Sequence, residues 1–144
     1  MDFLADLFAA MAGPDLCAAG LPASAVAHLV AIQFQGQSET YRAQFPDARH
    51  FVLERDGRPV GRLVVDREAS DLYVVDIAVS PEKQGSGTGG AAIAEVQHEA
   101  SAAGVGVRAL VFPHNLRSMA MFRRLNFIVT GRTVGPSLEL RWTA

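Results

Sequence analysis

Glycine occupies positions 85, 87, 89 and 90, four of six consecutive residues in the run Gln84-Gly85-Ser86-Gly87-Thr88-Gly89-Gly90. What flanks that run restricts what it can be. Before it, Leu72 to Val79 is almost unbroken in β-branched and apolar residues, which predicts a central strand covered on both faces. After it, Ile93, Val96 and Ala100 share one helical stripe, which predicts a helix from about Ala91 to Ala103, stopped by Gly104. Glycine allows positive φ and lets a ligand approach the backbone, and a helix start presents N–H groups without intrahelical acceptors. Strand, glycine loop and helix together make a phosphate cradle, whereas a mere connection has no need of so many glycines.

The identity of the phosphate ligand follows partly by elimination. Gly85, Gly87 and Gly90 satisfy G-x-G-x-x-G, but a dinucleotide site needs its first glycine directly after the strand and an acidic residue about 20 positions on. Here Ser80 to Gln84 intervene, and no Asp or Glu occurs between Glu99 and Glu139. A P-loop fails too, since Ala91 and Ala92 stand where Lys and Ser/Thr belong.

Around this unit the pattern predicts two helices, then a hairpin. Phe3, Leu4, Leu7, Phe8 and Met11 recur at helical spacing up to Gly13-Pro14. A longer helix opens with Pro22 at its first position and closes at Phe45-Pro46. Phe51-Val52-Leu53 and Val60 to Val65 are strands joined at Asp56-Gly57, a tight-turn dipeptide. Downstream, Val105 to Phe112 is a strand, Asn115 caps a short helix ending near Leu125, and Asn126 takes a left-handed stop. Phe127 to Thr130 and Leu138 to Trp142 are closing strands. The 144 residues form one domain, 1–144, of α+β (mixed α/β) class around one sheet.

The segment Asp76-Ile77-Ala78-Val79-Ser80-Pro81-Glu82-Lys83-Gln84-Gly85-Ser86-Gly87-Thr88-Gly89 resembles the acetyl-CoA-binding segment of the GNAT superfamily of N-acetyltransferases. That segment runs from an apolar strand through a Pro-containing loop into (Arg/Gln)-x-x-Gly-x-(Gly/Ala), and Gln84, Gly87 and Gly89 fill the defining places. A second block, Asn115 to Phe127, looks like the family's N-x-x-(A/S)-x-x-(L/M)-Y-x-x-L-G-F stretch. The resemblance covers roughly residues 50–142.

It implies a mixed, mostly antiparallel sheet flanked by helices, splayed at its central strand, with pantetheine lying in the gap. Backbone groups of Ile77, Ala78 and Val79 would pair with pantetheine, and the amides of Gln84, Gly85, Ser86, Gly87, Thr88 and Gly89 would hold the pyrophosphate. Asn115, Ser118 and Phe122 would complete the cofactor contacts. Asp76 becomes the candidate general base, although on a regular strand it shares a face with Leu72, Val74 and Ala78 and can equally pair with an arginine. Two departures stand out. Phe122 replaces the family's usual tyrosine acid, leaving water, Ser118 or His114 to substitute. The family's usual first strand is absent, so one sheet edge is uncovered or filled by a partner chain, as in a homodimer.

The implied activity is transfer of an acetyl group from acetyl-CoA to a primary amine on a small molecule or peptide, by direct transfer in a ternary complex. The alternative is a non-catalytic or weakly active acyl-CoA-binding regulatory module. A net charge of −2 gives no footprint for nucleic acid or an anionic membrane. A single cysteine, Cys17, excludes an intrachain disulfide, and no basic leader precedes the apolar N-terminus, so a cytoplasmic protein is expected. His28, His50, His98 and His114 are scattered, and no metal is expected. Arg117, Arg123 and Arg124 either meet a 3′-phosphate or form a solvated face, and Phe34, Tyr41, Phe45 and Tyr73 either reach an acceptor pocket or pack.

Overall fold

The residues that turn the chain are those with a chemical reason to do so. Asp56 and Gly57 both take positive φ, 54° and 75°, as a two-residue hairpin loop requires. They join β1 (Arg49–Arg55) to β2 (Arg58–Arg67). Asn126, at φ 69°, reverses the chain after a short helix. In this computed structural model, residues 3–5, 7, 9, 20, 22–133 and 135–144 are described.

Helix α1 (Ala23–Gln44) follows Pro22, which is extended at ψ 151° and so stands just before the helix instead of at its first position. Phe45, ahead of Pro46, leaves the helix at φ −132°. Upstream, Phe3, Leu4, Ala5, Leu7 and Ala9 are helical and Leu7 is buried. Phe8, Met11, the Gly13-Pro14 stop and Cys17 lie outside the described residues. No helix among the described residues is long and apolar enough to cross a membrane.

The remaining elements are β3 (Asp71–Val79), α2 (Thr88–Ala103), β4 (Gly106–Val111), α3 (Leu116–Arg124), β5 (Ile128–Arg132) and β6 (Leu138–Trp142). The six strands form one sheet in the order β1-β2-β3-β4-β6-β5. Only β3 and β4 run parallel, so the sheet is mixed and mostly antiparallel, as expected. Among the described residues, β1 forms one edge. Helices α2 and α3 cover the first face, where Ile93, Val96, Met119 and Phe122 meet Leu63, Val74, Val107 and Leu140. Helix α1 lies on the second face: Gln37 accepts a hydrogen bond from Arg62, and Phe45 packs on Tyr73 at 5.6 Å.

Helix α2 begins at Thr88, three residues before the expected start. Gly87, left-handed at φ 88°, ends the loop, and the Ala91 N–H closes the first turn on the Gly87 carbonyl at 2.9 Å. Gly89 lets that turn settle onto the sheet, since a Cβ there would lie 3.2 Å from Met121 Sδ and 3.7 Å from Val79 Cγ2.

One residue in β3 decides the geometry of the centre. Val74 pairs with Val65 and Asp76 with Val64, so Val75 is an extra residue, a β-bulge. Directly paired residues share a face, which puts Val74 with Val65 in the core and Asp76 with Val64 beneath α1. The expectation from a regular strand is therefore corrected: Asp76 shares a face with Ala78 but not with Leu72 or Val74, because the bulge inverts the alternation. The bulge also ends the parallel ladder. Asp71 to Val74 pair with Gly106 to Ala109, but beyond Val75 strand β3 pairs only with β2, while Leu110 and Val111 pair with β6. The sheet splits at its middle.

Candidate functional site: a split sheet and its glycine loop

The split opens into a cavity of about 560 Å³ on the α2–α3 side. Its floor is the unpaired edge of Ile77, Ala78 and Val79; its end is the glycine loop, and its far wall is α3, through Asn115, Ser118 and Met121. A strand edge with no neighbouring strand keeps N–H and C=O groups that need partners, so this floor is a template for an extended polar ligand.

The loop is held open from within. A 3₁₀ turn, Pro81–Lys83, leads out of the strand, and the Gln84 side chain donates to the Val79 carbonyl at 3.1 Å, closing the loop onto the strand end. The amides of Gln84 and Ser86 donate to the carbonyls of Pro81 and Lys83, at 3.4 and 3.2 Å. Left-handed Gly85 and Gly87, at φ 82° and 88°, bring the chain to the helix start, where the first amides of α2 have no acceptor in their own helix. Gly85, Gly87, Thr88 and Gly89 all line the cavity, and Lys83, Arg117 and Arg124 place three cations around it. Two expected cofactor residues lie elsewhere. Ser86 lines a separate groove of about 660 Å³ between β1 and α2. Phe122 is in the core, 2% exposed and edge-on to Phe127 at 4.9 Å, because the left-handed turn at Asn126 folds Phe127 back onto it.

Asp76 sits on the opposite face of the split. Its carboxylate pairs with Arg62, which is only 7% exposed and also donates to Gln37 at 2.9 Å. The Arg62 guanidinium lies 5.9 Å from the Tyr41 ring centre. Burial, and then the charge of Asp76, push the Tyr41 hydroxyl up to about 12, so it stays protonated at neutral pH.

A sheet splayed at its central strand, leading to a glycine loop at a helix start, is the arrangement that the two sequence blocks imply, and here a bulge makes the splay. The family model described as Acetyltransferase (GNAT) family matches residues 24–127. The chain belongs to the GNAT family. Solved structures agree in fold. The PaiA N-acetyltransferase of Thermoplasma acidophilum, in complex with coenzyme A, superposes with a TM-score of 0.70 at 16% identity, over 98% of this chain and 91% of that one. Nourseothricin acetyltransferase is 28% identical over 68% of this chain and 66% of its own, with a TM-score of 0.58. The ribosomal-protein-S18-alanine N-acetyltransferase of Escherichia coli gives 0.58 at 20% identity, over 72% of each chain. No curated protein matches the chain. The fold, shared with coenzyme A-bound acetyltransferases, supports acyl transfer from acetyl-CoA in general.

In this GNAT domain, Met121 and Arg55 also stand at the candidate site, and the motif reading passes over both. Met121 shares a helical stripe with Ser118 and Leu125 and lines the cavity, a signal that i, i+3, i+7 spacing carries. Arg55, at the end of β1, donates to the Ser86 carbonyl at 3.1 Å, tying the hairpin to the loop. Nothing in local sequence reveals that tie, because the partners are 31 residues apart.

Proposed function

We propose that this GNAT protein transfers the acetyl group of acetyl-CoA directly to a primary amine, carried by a small molecule or peptide, in a ternary complex. The observation that carries the reading is the bare edge Ile77–Val79 running into the glycine loop. Pantetheine pairs with that edge, and the diphosphate sits on the amides at the start of α2, near Lys83, Arg117 and Arg124. Asn115, whose side-chain carbonyl caps α3 by accepting the Ser118 N–H at 3.2 Å, keeps its NH₂ for the pantetheine arm. A fixed N–H of β3 facing the thioester oxygen stabilises the charge that develops there, typically by about 3–4 kcal/mol.

Asp76, held in place by Arg62, takes the proton from the amine, directly or through one water. The thiolate needs no donor from position 122, since a thiol pKa near 8.5 makes it a tolerable leaving group. Mixing the protein with acetyl-CoA and a panel of amines, while following free thiol, tests this. Thiol release that depends on amine is expected, and its absence with every amine would count against the proposal. Asp76→Asn should lower kcat/KM by roughly 10²- to 10⁴-fold, with coenzyme A affinity kept.

The non-catalytic alternative rests on Phe122, which has no proton to give. Its burial leads us to expect no rate gain from Phe122→Tyr; a clear gain would mark an enzyme weakened at that position.

A further inference from the structure

The cavity lies on the α2–α3 side of the sheet, but the split exposes the same strand edge to the α1 side as well. Building on the acetyl-transfer reading, which has the amine meet Asp76 on the α1 side, we propose that the acceptor is a primary amine on an apolar or aromatic body. Leu110 and Phe112 are its specificity-determining contacts.

Alternation along the two diverging strands places these groups. On β3 the bulge turns Asp76 and Ala78 to the α1 side. On β4, Ala109 and Val111 belong to the core, so Leu110 and the following Phe112 project to the opposite face. The parallel ladder stops at the Val74–Ala109 pair, so Leu110 and Phe112 flank the split at the point where it opens. On that face Val64 and Tyr73 are buried, yet Leu110 is 37% and Phe112 47% exposed. His114 stacks on Phe112 at 5.5 Å, extending the flat surface. Val52 and Ile128 are exposed on the same face too, but on β1 and β5 at the two ends of the sheet; beside the bared edge, where an acceptor has to meet the thioester, the exposed apolar surface is that of Leu110 and Phe112.

Charge points the same way. The carboxylate of Asp76 is matched by Arg62, and that of Glu139, the partner of Leu110 across the ladder, accepts from Thr130 at 2.8 Å and lies 3.7 Å from Arg108. A polycationic acceptor brings several charges that need unmatched carboxylates beside the split, and Asp66, which shares that face, lies opposite Tyr73 in the closed half of the sheet. An amine with one charge and an apolar body needs only Asp76 for its proton and Leu110 and Phe112 for its surface.

The test compares kcat/KM for 2-phenylethylamine and for spermidine in the wild-type protein, Leu110→Ala and Phe112→Ala. A tripeptide with N-terminal phenylalanine separates peptide-borne from small aromatic amines, and turnover of either supports the proposal. Wild type should favour the aromatic amine. Each truncation should lower that preference about 10- to 100-fold, the scale of one apolar contact surface removed from water. Phe112→Leu should restore part of it, and coenzyme A affinity by calorimetry should stay unchanged in all. Preference for spermidine, or a ratio unmoved by both truncations, overturns the proposal while leaving acetyl transfer standing. Failure to bind coenzyme A would instead remove the acetyl-transfer reading beneath it.

Discussion

The two halves of β3 share one strand and have opposite surroundings. Leu72 to Val74 have β2 on one side and β4 on the other, Asp71 pairs with β4 and accepts the Glu68 N–H at 2.8 Å, and all four are buried. Asp76 to Val79 have β2 alone and are half-buried. Val75 separates them. The first half is finished as structure, with Leu72 to Val74 paired on both sides and the Asp71 carboxylate accepting from Arg141 at 2.7 and 2.9 Å. The second half is left incomplete on one edge, and the incompleteness is the candidate site. A single inserted residue gives a central strand a bare edge without exposing the core, because the bulge changes direction and facing together.

That contrast can be broken first in the finished half. Leu72→Ala, at a fully buried core position, should cost about 2–5 kcal/mol in denaturant unfolding, while coenzyme A affinity of the folded protein stays put. Loss of affinity without loss of stability would mean the halves are not separable. In the incomplete half the effects should reverse. Gly89→Val drives a branched side chain toward Met121 and Val79, so coenzyme A binding should weaken by about 5- to 150-fold, the equivalent of ~1–3 kcal/mol of overpacking. Calorimetric titration would show it.

Arg141→Met strips the buried Asp71 of its guanidinium and should cost about 1–3 kcal/mol of stability with coenzyme A affinity unchanged, again by denaturant titration and calorimetry. The smallest effect sharpens the contrast by leaving both halves alone. Arg49 donates to Glu99 at 2.8 Å across β1 and α2, which holds the Glu99 carboxyl below its ordinary value. Because the pKa is lowered in the folded state, the unfolded chain binds that proton first. The contribution is therefore complete above the ordinary carboxylate range and lost as pH falls through the lowered value. Both side chains are about half exposed, so Glu99→Gln should cost about 0.2–1 kcal/mol at pH 7, a difference that shrinks in acid unfolding experiments.

Much of this arrangement is legible in the order of residues. The glycine loop announces itself because a strand and a helix bracket it, and the turns at Asp56-Gly57 and Asn126 follow from residues that tolerate positive φ. The bulge is not legible. Val74 and Val75 are identical side chains, so the phase change leaves no mark in the apolar pattern until β2 supplies a register. The fate of Asp76 was hidden for the same reason, since its pairing with Arg62 depends on that register and spans 14 positions. Phe122 misleads in another way. Its place in the second block implies the cavity, but the reversal at Asn126 gives it Phe127 as a neighbour, and apolar contact draws it into the core.

Hydrogen exchange with and without coenzyme A compares the two halves of β3 in one experiment. The amides of Ile77 and Val79 and those at the start of α2 should become strongly protected when coenzyme A is added, while those of Leu72 to Val74, already slow, should not change. Unchanged exchange beyond Val75, or protection that appears only at the β1–α2 groove, would contradict the bared strand edge as the place where coenzyme A binds.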